Sequence, residues 1–100
     1  MNLNSFTIKF DKDDLPWLEY AYVTDAAKKL NGAAFKLYIY FCAEITSGLE
    51  EITFSPSKYV QVCGGGITSA RRAFQELIET KYLTQIDDTL FIFSRETKMV

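Results

Sequence analysis

A mainly helical α+β fold with a small three-stranded sheet is what this 100-residue chain predicts, and three observations lead there. Apolar residues recur at helical spacing from Ala34 to Ile45 and again from Ala70 to Ile78. From Tyr82 to Phe93 the pattern changes to alternation, the period of a strand. Between the two helical stretches lies Gly64-Gly65-Gly66, followed at once by a segment carrying Arg71 and Arg72.

The elements follow in chain order. FTIKF, Phe6 to Phe10, alternates apolar and polar and suits a short strand. Asp13, Asp14 and Pro16 mark a helix start, since proline fits a first turn whose N–H has no partner. WLEYAYVT suits helix and extended chain alike, and Thr24-Asp25 could cap a short turn reaching Leu30. The clearest helix begins at Asn31. Ala34, Leu37, Tyr38, Phe41, Cys42 and Ile45 share one face, and Phe35 and Ile39 widen it. Lys36, Tyr40 and Glu44 point outward, and Ser47-Gly48 stops the helix. Ile52-Thr53-Phe54 is a short edge strand. Ser55-Pro56 then starts a helix with a serine cap and proline at its first position, and Tyr59, Val60 and Cys63 form its core side. After the glycines, Ala70, Ala73, Phe74, Leu77 and Ile78 make one apolar face. Thr68, Arg72, Gln75 and Glu79 lie opposite, with Arg71 at the border. Tyr82, Leu83 and Ile86, then Leu90, Phe91 and Phe93, form a hairpin about Asp87-Asp88.

Composition sets bounds on the chemistry. With 48% hydrophobic and 24% charged residues the chain is globular, and its length supports one core, so residues 1–100 are expected as a single domain. Within it, residues 31–93 form the core, residues 1–30 an N-terminal extension and residues 94–100 a tail. The two cysteines make no disulfide framework and no apolar run spans a bilayer, which points to the cytoplasm. Histidine is absent, and with it the commonest general base and metal ligand. No pair of carboxylates stands out, so no enzyme, metal or cofactor is expected. The net charge of −2 counts against binding nucleic acid by electrostatics alone.

Three roles are open to the glycines. A P-loop needs Gly-Lys-Ser/Thr after its last glycine, but Ile67-Thr68 follow Gly66; a dinucleotide fingerprint needs glycine where Ser69 stands. A tight turn between two helices fits better, and a polar outer face on the second makes a helix-turn-helix. One strand before it and a hairpin after it make the arrangement winged. The plainer alternative is a joint between packing helices with Arg71 and Arg72 solvated.

LNGAAFKLYIYF, with FSPSKYV and CGGGITSARRAFQELIETKYL after it, resembles the winged helix-turn-helix domains of phage and plasmid replication-initiation proteins. It is similar also to the N-terminal domain of DnaD-type primosome proteins. The resemblance covers about residues 30 to 93. It places Gly64 at the family's turn glycine, Ser69-Ala70 at its Thr-Val, Arg72 at its arginine, and Phe74 and Leu77 at its core leucines. Tyr82-Leu83 lead into the wing. Gly65 stands at a buried isoleucine and Gly66 at a capping serine. Lys81 stands at the helix-ending glycine, where a left-handed backbone would strain it.

The resemblance implies a DNA-binding protein of replication initiation or regulation in a phage, plasmid or other mobile element, with double-stranded DNA as partner. Thr68, Arg72 and Gln75 would then reach base edges from a recognition helix, Ile67 to Thr80. Ser69, Arg71 and Lys58 would take phosphates. A homodimer would meet through Trp17, Tyr22, Phe35 and Ile39, which otherwise belong to an ordinary core. The alternative is a winged-helix protein–protein module, an assembly factor or inhibitor of a replication or host protein. The negative charge and a wing without basic residues favour it.

Overall fold

Residues 5–10 and 20–94 are described by the computed structural model. The expected helix start at Asp13–Pro16 lies outside them. Strand β1 (Phe6–Phe10) is followed by α1 (Tyr20–Lys29), α2 (Gly32–Thr46), β2 (Glu51–Phe54) and α3 (Pro56–Cys63). Then come α4 (Ile67–Glu79), β3 (Leu83–Gln85) and β4 (Leu90–Phe93). The described residues therefore form a mainly helical α+β domain with four helices and one open, mixed sheet.

That sheet corrects the expectation of three strands. It has four, in the order β2-β1-β4-β3. FTIKF sits in its interior, antiparallel to β2 with Ile8 opposite Ile52, and parallel to β4 with Ile8 opposite Phe91. A parallel pair needs a long crossover, and the helices between residues 20 and 79 supply it. The alternation in β1 has a clear purpose: Ile8 and Phe10 are buried while Lys9 faces water.

Helix α1 corrects a second expectation. It runs unbroken through Thr24-Asp25. The Thr24 hydroxyl donates back to the Ala21 carbonyl (3.2 Å), and Asp25 pairs with Lys29 one turn later at 3.0 Å. Both side chains are satisfied inside a helix, so neither acts as its cap.

Helix α2 buries Ala34, Leu37, Tyr38, Phe41, Cys42 and Ile45, the six residues of the predicted stripe. Its N-cap is Asn31, whose side chain accepts the Ala34 N–H at 3.0 Å. The core lies between α2 and α4 on one side and the sheet on the other. Phe41 meets Phe54 and Phe93 edge-on at centroid distances of 5.5 and 5.1 Å, and Tyr38 meets Phe93 at 5.7 Å. Such rings each bury a large area, and each pair adds about 0.5–1.5 kcal/mol beyond it. No helix among the described residues is long and apolar enough to cross a membrane.

Candidate nucleic-acid interface

The α3–α4 pair is built from local signals that the chain carries in full. The Ser55 side chain accepts the Lys58 N–H at 3.2 Å and Pro56 opens α3. Tyr59, 2% exposed, ties α3 to α2 by donating its hydroxyl to the Ala33 carbonyl (3.2 Å). Helix α3 ends where the Gly64 N–H donates to Val60 O at 3.0 Å. Gly64 and Gly65 both have φ of 83°, and Gly64 pairs it with ψ of −174°, a region open in practice to glycine alone. Gly66 returns to extended backbone (φ −118°) and serves as N-cap of α4 without a side chain to cap it. Three residues thus join the two helices in a tight turn.

Helix α4 buries Ala70, Ala73, Phe74 and Leu77, with Ile78 half-buried. Thr68, Arg71, Arg72, Gln75 and Glu79 are exposed, and Ser69 is half-buried on the side facing the turn. A 100° step per residue puts Thr68, Arg72, Gln75 and Glu79 together, diametrically opposite the buried face. Arg71 lies at the border, one turn from Gln75. The Gln75 amide donates weakly to the Glu79 carboxylate (3.5 Å). Lys58 is exposed on the neighbouring α3. Val62 and Ile67, flanking the glycine turn, are 48% and 40% exposed, an unusual place for two aliphatic side chains.

The end of α4 shows how Lys81 is accommodated. Lys81 has φ of 73° and is the one non-glycine residue with positive φ among those described. Its N–H donates to Ile78 O at 3.1 Å, and the Tyr82 N–H reaches back to Leu77 O at 3.0 Å. These two bonds form a Schellman motif, and Tyr82 and Leu77, the positions that such a motif's apolar contact joins, are both buried. The strain expected at Lys81 is present, and the motif holds it.

Two features of this face have no signal in the sequence. Glu76 does not join the exposed row. Its carboxylate accepts the Asn31 backbone N–H at 2.7 Å and also the Asn31 side-chain amide, clamping α4 to the start of α2. The second feature is a cleft beside Arg71 and Gln75, walled by Phe6, Phe54, Pro56 and Phe74.

In the hairpin, the Asp87 carboxylate accepts the backbone N–H groups of Thr89 and Leu90, each at 2.9 Å. Asp87 is therefore the turn-maker. Asp88 is exposed beside it, and the Thr89 carbonyl accepts the Thr7 N–H at 2.7 Å, binding the hairpin to β1.

Of the residues proposed for a subunit contact, Phe35 and Ile39 are half-buried and pack against the core. Tyr22 is half-buried on α1, and Trp17 lies outside the described residues. Burial pushes the Cys63 thiol above its ordinary value, which keeps it protonated at neutral pH. No group of three or more Cys, Asp or Glu among the described residues is placed to hold a metal ion. No protein-family model, characterised protein or solved structure gives a significant match to the chain, so its own geometry is the ground on which its function rests.

Proposed function

We propose that this chain is a winged helix-turn-helix protein that binds double-stranded DNA, with a role in replication initiation or regulation in a phage, plasmid or other mobile element. The observation that carries the reading is the three-residue glycine turn, which sets α4 against α3 with Thr68, Arg72 and Gln75 directed away from the core. In the major groove, arginine can bond guanine through two N–H groups, and glutamine can pair with adenine in the same way. Arg71, Ser69 and Lys58 would hold backbone phosphates, as would the uncapped N–H groups at the start of α4. Val62 and Ile67 are apolar and exposed where thymine methyl groups would be met.

The experiment is selection of a duplex from a random library, followed by anisotropy titrations at low and physiological salt. Arg72→Ala is expected to weaken the selected duplex by about 1–3 kcal/mol, the range of one bidentate base contact, with folding unchanged. Equal binding by variant and parent would take Arg72 out of the interface.

A second reading is favoured by one observation. The hairpin tip presents Asp87 and Asp88, and the chain carries a net charge of −2. Such a surface suits a protein contact. Failure of any duplex to bind at low salt would remove the DNA reading and leave this one.

A further inference from the structure

The cleft beside α4 shares Arg71 and Gln75 with the proposed DNA face, but its apolar walls have no role there. It has a volume of about 220 Å³ and is lined by Phe6, Phe54, Pro56, Arg71, Phe74 and Gln75. Its aromatic walls are mutually braced. Phe74 stacks on Phe6 with centroids 4.8 Å apart, and on Phe54 at 5.6 Å. Phe91 meets Phe6 and Phe74 edge-on at 5.4 and 4.9 Å. Rings held on several sides cannot turn to fill the space beside them, so the cleft is a standing feature of the core's edge.

Size and charge narrow the occupant. A cavity of roughly 150 Å³ accommodates benzene. A cleft of about 220 Å³ therefore has room for one ring with a small substituent. Among the described lining residues Arg71 alone is ionisable, and its positive charge favours an anionic substituent. Its guanidinium has five N–H donors in a planar fork, enough to take a carboxylate through two of them alongside its other contacts. Gln75, one turn along α4, can add an amide N–H, since its bond to Glu79 is long at 3.5 Å.

We propose that this cleft binds an aromatic ring bearing a nearby carboxylate, the ring against Phe6 and Phe74 and the carboxylate on Arg71. A free aromatic acid and the C-terminal aromatic residue of a peptide present this same chemistry. The inference does not depend on DNA binding and is tested with no duplex present.

The test is a ¹H–¹⁵N titration of the whole chain with three probes: phenylacetate, a short peptide ending in phenylalanine, and that peptide with its C-terminus amidated. The two acids should shift the amides of Phe6, Arg71, Phe74 and Gln75, with a dissociation constant on the order of millimolar for phenylacetate. The amidated peptide should bind at least about tenfold more weakly than its acid, because the charge-assisted pair to Arg71 is lost. Arg71→Gln, a change at an exposed position, should weaken both acids by a similar factor and leave the amide as it was. Tighter binding of the peptide acid than of phenylacetate identifies a chain terminus as the source; equal or weaker binding identifies a free acid. Absence of shifts, equal affinity of acid and amide, or indifference to Arg71→Gln would overturn the proposal.

Discussion

Lys81 and Tyr82 sit side by side, and each holds a conformation or a group that the fold tolerates at a cost. The Tyr82 ring is 1% exposed and packs edge-on to Tyr38 at 5.1 Å, yet its hydroxyl has no hydrogen-bond partner among the described residues. Burying an unpaired hydroxyl forfeits its hydration without return. Tyr82→Phe keeps the ring and removes the orphan, so stability should rise by up to about 1–2 kcal/mol. The urea midpoint measures it, and a lower midpoint would show that the hydroxyl finds a partner in solution. Lys81→Gly should also stabilise, by about 1 kcal/mol, since glycine occupies the left-handed region without a Cβ clash. An unchanged or lower midpoint would mean that the lysine side chain makes up for its backbone strain.

At the scale of elements, the three glycines divide their labour. Gly64 and Gly65 adopt φ of 83°, whereas Gly66 has ordinary extended backbone and open space where a side chain would stand. Identical residues should therefore respond in opposite ways. Gly64→Ala should cost about 1–3 kcal/mol through backbone strain, although nothing lies within 4 Å of the added carbon. Gly66→Ser should gain a few tenths of a kcal/mol by supplying the oxygen that caps α4. Thermal unfolding of the two variants side by side decides this, and a common direction of change would refute the division. The loose-joint reading of the glycine run would leave both substitutions near neutral. Two positive-φ residues in succession are a specified turn, and that turn aims α4.

For the whole molecule the open question is how an acidic chain could meet a polyanion. A carboxylate a few ångströms from a phosphate costs about 1 kcal/mol even at the dielectric constant of water. Seating the hairpin tip on the DNA backbone is therefore unfavourable, and the proposed docking by α4 would hold the tip away. Asp87 cannot be used to test this, because its carboxylate holds the turn through Thr89 and Leu90. Asp88→Lys moves the net charge from −2 to 0 (−2 + 2) without touching those bonds. Affinity for duplex and its salt dependence should stay close to the parent's. A gain of about 0.9 in the log–log salt slope would instead place the tip on a phosphate.

What the sequence by itself determined was the local part of the fold. The six buried positions of α2, the serine cap and proline of α3, the glycine turn and the apolar face of α4 all depend on contacts within a few residues. Periodicity and capping chemistry record such contacts directly, so the row Thr68, Arg72 and Gln75 was legible before any coordinates. Tertiary structure alone decided that FTIKF lies between β2 and β4, making four strands of an expected three. It also decided that Glu76 clamps Asn31, and that Phe6, Phe54 and Phe74 meet around a cleft. These partners stand between 20 and some 80 positions apart. An alternating strand shows which of its faces is buried but not which strands flank it, because pairing is chosen by the packing of the whole core.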